Sequence, residues 1–128
     1  MLPGLADPVL DSQRIFRSVL EAVAHPGRVV ALAGPAETPE PLHRAAAAVC
    51  LALVDMETPL WLDAVARTAE VLDGLRFHCG CPIVEEPRSA RFALIVDATS
   101  CGEPFTEWSS KCPGSAPRTS QMVRPEVI

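Results

Sequence analysis

The chain has no tyrosine, a single lysine, and few aromatics of any kind, only 5% of its residues. A core so poor in aromatics must be filled mostly by alanine, valine and leucine, which carry most of the 48% apolar content. With 21% of residues charged, this is the profile of a folded domain and not of a disordered segment. No apolar run reaches the roughly 18–20 residues that a membrane span requires. The opening Met1-Leu2-Pro3-Gly4-Leu5-Ala6-Asp7 lacks the basic start and long apolar stretch of a secretory signal. Positive charge is also scarce: eleven Lys and Arg against sixteen Asp and Glu give a formal net charge of −5. Such a chain has no diffuse basic field to draw it to nucleic acid or to an anionic membrane, although one or two arginines could still line a phosphate pocket. Missing too are a Gly-x-Gly-x-x-Gly fingerprint, a Walker A loop, a Ser-His-Asp order and any Cys-x-x-Cys pair. The five cysteines, Cys50, Cys79, Cys81, Cys101 and Cys112, are an odd set that points to free thiols in a reducing cytoplasm. At 128 residues the chain is long enough for one hydrophobic core and too short for two.

What is present reads as helices alternating with short strands, the pattern of an α/β domain over residues 1–98. The first ten residues, with two prolines and a glycine, read as an extended arm. Asp11 or Ser12 is then placed to cap a helix through Ala24, with Ile15, Val19 and Val23 in a row and Phe16 and Leu20 beside them. His25-Pro26-Gly27 stops it, and Arg28 to Leu32 predicts a short strand. After a proline-rich loop, Leu42 to Val54 is apolar nearly all round, as a buried helix is. Asp55 to Thr58 reads as a turn, Pro59 to Leu62 as a second strand, and Ala64 to Leu72 as a helix capped by Asp63 and ended by Asp73-Gly74. Leu75 to Cys79 predicts a third strand, Glu86 to Ala90 a turn or short helix, and Phe92 to Val96 a strand covered on both faces. From residue 99 small, polar and proline residues dominate, so 99–128 is set apart as an irregular tail.

Chemistry-bearing residues concentrate in Phe77-His78-Cys79-Gly80-Cys81-Pro82. Three metal ligands in four residues do not have the spacing of a tetrahedral zinc half-site, and no second half-site accompanies them. On an extended strand Cys79 and Cys81 share one face while His78 takes the other, so the three do not converge. A catalytic thiolate would need a base or a helix N-terminus beside it, and adjacency to His78 along a strand is not pairing. His78 is the side chain there most suited to contact a ligand or partner, with Gly80 and Pro82 shaping its turn. Pro26, Gly27 and Arg28 form a second candidate for holding an anion, although a helix C-terminus presents carbonyls where an anion needs N–H groups. Asp55 with Glu57, and Glu85 with Glu86, read as solvated turns.

These residues resemble the H subunit family of the carbon-phosphorus lyase core complex of phosphonate metabolism. The resemblance is carried by Ala6-Asp7-Pro8-Val9, Ser12 to Arg17, Ala24 to Val30, Leu53 to Leu62, Phe77 to Val84 and Phe92 to Ile95, in order. It implies a mixed-sheet α/β sandwich similar to pyridoxal-phosphate-dependent transferases but without the cofactor site, since no lysine precedes Lys111. It implies no cofactor and no metal. It also implies a cytoplasmic accessory subunit that forms a homodimer and joins the G, I and J subunits, with ATP or phosphonate at a shared site. With G, I and L such subunits support displacement of adenine from ATP by phosphonate, giving a ribose 1-phosphonate 5-triphosphate. The nucleosidase activity is ascribed to the I subunit, so the resemblance implies a subunit that is required without being known to be catalytic.

Two departures from the family pattern stand out. Where the family favours Thr and Ala this chain has Cys79 and Cys81, which removes any need for sulfur in the family's task. Members are also longer, so the expectation is a chain truncated or altered at its C-terminus, with a tail foreign to the family and an incomplete fold. Two other readings stay open from the residues alone: a small stand-alone enzyme using His78 with Cys79 or Cys81, and a dimerisation module without a ligand.

Overall fold

A computed structural model describes residues 3–97; the irregular tail assigned to residues 99–128 lies outside the described residues. Its elements run in the order α1 (Pro8–Ala24), α2 (Arg44–Leu53), β1 (Leu60–Leu62), α3 (Ala69–His78), a 3-10 turn (Pro87–Ser89) and β2 (Phe92–Leu94).

Helix α1 begins earlier than the sequence suggested. Asp7 is its N-cap, accepting from the amides of Val9 at 3.1 Å and Leu10 at 3.0 Å, while the Asp7 amide donates to Asp11 at 3.0 Å. Pro8 occupies the first helical position, where a missing N–H costs nothing and a fixed φ helps. The proline read as part of an extended arm is therefore part of the start signal. Ile15 is buried, whereas Phe16, Leu20 and Val23 are exposed, so the apolar residues of α1 divide between two faces.

Helix α2 is the buried helix that its composition predicts: Ala46 to Cys50 are all enclosed, and small side chains let it lie close to α1. β1 pairs in parallel with β2, with Leu60 opposite Phe92 and Leu62 opposite Leu94. On its other side Leu60 bridges Ile83, also in parallel, through Leu60 N to Pro82 O at 2.9 Å and Val84 N to Leu60 O at 3.0 Å. β1 is thus interior, and Leu60, Leu62 and Leu94 are fully buried against Cys50, Val71 and Leu75.

Two expected strands are absent. Arg28 to Leu32 carries no strand hydrogen bonding, and Val29 is 92% exposed. Leu75 to His78, read as a strand, is the last part of α3, whose N-cap Thr68 accepts from the Val71 amide at 3.3 Å. The helix runs through Asp73-Gly74, which was expected to end it; one interior glycine costs only about 1 kcal/mol. Asp63 caps a turn and not a helix: its Oδ1 accepts from Ala66 N at 2.9 Å and its Oδ2 from Val96 N at 3.1 Å and Asp97 N at 3.0 Å. That buried carboxylate fastens the carboxyl end of β2 to the end of β1.

Candidate functional site

The His78 segment stands at a helix end and not on a strand, which changes its geometry. Cys79 is the C-cap of α3, and Gly80 follows with φ +64°, its amide donating to Arg76 O and Leu75 O at 3.1 Å. This is the left-handed cap that glycine closes at no steric cost. Cys79 and Cys81 therefore do not alternate along a strand. Both turn inward, Cys81 buried and Cys79 packed against the core, while His78 and Phe77 are exposed and meet edge to face at 5.0 Å. Pro82 continues into the bridge to β1, its carbonyl accepting from Leu60.

The thiols are enclosed rather than activated. Burial, with the neighbouring Cys79 and Cys81, pushes the Cys50 thiol up to about 12, and burial beside Cys81 pushes Cys79 up to about 12. Burial raises Cys81 as well. The Cys79 thiol donates to the Cys50 carbonyl at 3.6 Å. A reactive cysteine needs the opposite shift, so these side chains behave as small packing groups. Among the described residues no group of three or more His, Cys, Asp or Glu is placed to hold a metal ion.

His78 does border a groove of about 470 Å³ between α2, α3 and the proline-rich loop. Its floor is apolar, with Cys50, Leu51 and Leu75, and its other ionisable lining residues are Glu37, Glu70 and Asp73. Three carboxylates and one histidine make a poor seat for a polyanion. The arm before α1 passes over the His78 ring: a Cβ on Gly4 would come within 2.9 Å of His78 Nδ1 and Cε1, so a larger residue there would displace the ring.

The second candidate lies apart from this groove, and none of Pro26, Gly27 or Arg28 lines it. Gly27 takes φ +90° in a turn closed by Arg28 N to His25 O at 3.0 Å, and Arg28 pairs with Glu21 at 3.1 Å. The guanidinium thus has an acidic partner on the helix that precedes it.

Sequence reasoning missed Arg67. Its guanidinium meets Glu85 in two bonds at 2.9 and 2.8 Å and also donates to Leu62 O and Val84 O, each at 3.1 Å. Ligands of parallel α/β sheets gather at the carboxyl ends of strands. Here that end is occupied by the protein's own bonds, through Arg67 on one side of β1 and Asp63 on the other. Asp55 and Glu57 form the expected turn, Asp55 accepting from Thr58 Oγ1 at 2.7 Å and Glu57 N at 2.9 Å, which holds its carboxyl below the usual range.

Comparison with known proteins matches this sequence to a family. Alpha-D-ribose 1-methylphosphonate 5-triphosphate synthase subunit PhnH of Rhizobium meliloti (strain 1021) is 36% identical over 92 residues, 72% of this chain and 46% of that protein. The chain spans about half the length of the curated relative it matches. The profile of the bacterial phosphonate metabolism protein (PhnH) family matches residues 3–120, which runs past the described residues into the segment that had been set apart as foreign to the family. With a match over nearly its whole length, the chain belongs to the PhnH family of bacterial phosphonate metabolism proteins.

Proposed function

We propose that this chain is an accessory subunit of the carbon-phosphorus lyase system. It supports attack of phosphonate on ATP, with release of adenine and formation of a ribose 1-phosphonate 5-triphosphate. The observation that carries this reading is the 36% identity to a subunit named for that triphosphate. In it the chain pairs with a second copy, joins the G, I and J subunits in the cytoplasm, and contributes surface rather than a reacting group. The described part then belongs to a larger mixed-sheet α/β sandwich of the transferase type, without that fold's cofactor.

The site geometry supports an assisting role. Thiols pushed up to about 12 are not nucleophiles at neutral pH, which counts against a stand-alone thiol enzyme. The carboxylates around the groove disfavour a triphosphate there, so His78 and Phe77 serve better as partner-facing side chains than as ligand contacts. Reconstitution with the G, I and L subunits tests the reading: adenine release from ATP and methylphosphonate should require this chain. Undiminished release in its absence would contradict it.

A further inference from the structure

Helix α1 presents two faces. One, with Ile15 and Val19, packs toward the body of the protein. On the other, Val9, Gln13, Phe16, Leu20 and Val23 follow one another at alternating steps of four and three residues, all of them exposed. Val9 is 67%, Phe16 47%, Leu20 51% and Val23 66% exposed. This is the spacing of a coiled-coil seam, with one polar residue, Gln13, of the kind that sets register. A helix already held by its other face needs no separate nucleation to offer such a seam.

We propose that this seam is the surface on which two copies of the chain meet, α1 against α1 and antiparallel; the inference rests on the homodimer part of the reading above. Charge decides the occupant and the orientation. Antiparallel pairing places Phe16 opposite Leu20 of the second copy and Gln13 opposite its Val23. In that register Arg17, beside the seam and without an ion-pair partner among the described residues, comes about 3 Å along the axis from Glu21 of the second copy, a carboxylate that also pairs with Arg28 of its own chain. Opposed helix dipoles favour the same orientation, whereas parallel pairing brings the Asp7 and Asp11 ends together. The seam is therefore complementary to itself.

Sedimentation of the full chain at micromolar concentration tests this. Wild type should be a dimer, and Leu20→Glu should weaken it at least about 100-fold by forcing a charge into the apolar layer. Because Leu20 is already exposed in the single chain, circular dichroism should show the variant folded. Arg17→Glu should weaken the dimer several-fold by facing Glu21, and Val29→Glu, exposed but off the seam, should leave it unchanged. A monomeric wild type overturns the homodimer reading itself. A Leu20→Glu variant that stays dimeric overturns only the assignment to this surface, and an Arg17→Glu dimer as tight as wild type overturns the antiparallel register.

Discussion

The Cys50 thiol is fully enclosed, and enclosure fixes how the folded chain answers alkali. Its ordinary value is 9.0 and the fold raises it to about 12, so the folded state keeps its proton where the unfolded state loses it. The stabilisation is complete below about pH 9 and is lost as pH rises toward 12, at up to about 1.4 kcal/mol per pH unit. Urea midpoints measured from pH 8 to 11 should fall more steeply for wild type than for Cys50→Ala. Asp63 makes a second residue-scale case. Three backbone amides donate to it, so Asp63→Ala leaves buried donors unpaired and should cost about 2–4 kcal/mol in equilibrium unfolding. The sequence marked Asp63 as a cap, although what it closes is a turn and not the helix expected after it. Its partners Val96 and Asp97 were not legible, because they lie more than thirty positions away in the chain.

Among the elements, α2, β1 and β2 were readable because composition alone distinguishes an all-apolar helix and short β-branched or leucine runs between turns. The C-terminal half of α3 was not. Leu75, Phe77 and Cys79 alternate as a strand does, yet Val71 and Leu75 are four apart and both buried, which is a helical face. A three-residue alternation cannot settle that choice; the buried contact of Val71 does. Arg28 to Leu32 had strand propensity but pairs with no strand among the described residues, so propensity lost to context. The glycine that ends α3 was legible as a turn residue, and it makes a direct prediction. At φ +64° Gly80→Ala must hold a Cβ in left-handed backbone, so thermal unfolding should show about 1–2 kcal/mol of destabilisation. Leu62→Ala in the buried strand should cost more, about 2–5 kcal/mol.

For the whole molecule, the candidate site divides into parts of different legibility. His78 was legible as an exposed, contact-capable side chain, and it does border the groove beside α2 and α3. The carboxylates sharing that groove come from the proline-rich loop and α3, and only folding brings Glu37 beside Glu70 and Asp73. Arg67 and Glu85 likewise meet across eighteen positions, a pairing no local pattern announces. Together these features give described residues whose three thiols are enclosed, whose strand ends are tied by their own side chains, and whose exposed side chains include Phe77, His78, Phe16 and Leu20. Under the proposed function, such a surface serves contact with other chains. Affinity purification of the tagged chain from cells expressing the G, I and J subunits measures that contact directly. The account predicts that all three are retained in fixed proportion, with His78→Ala lowering the yield; a wild-type chain that elutes alone would contradict it.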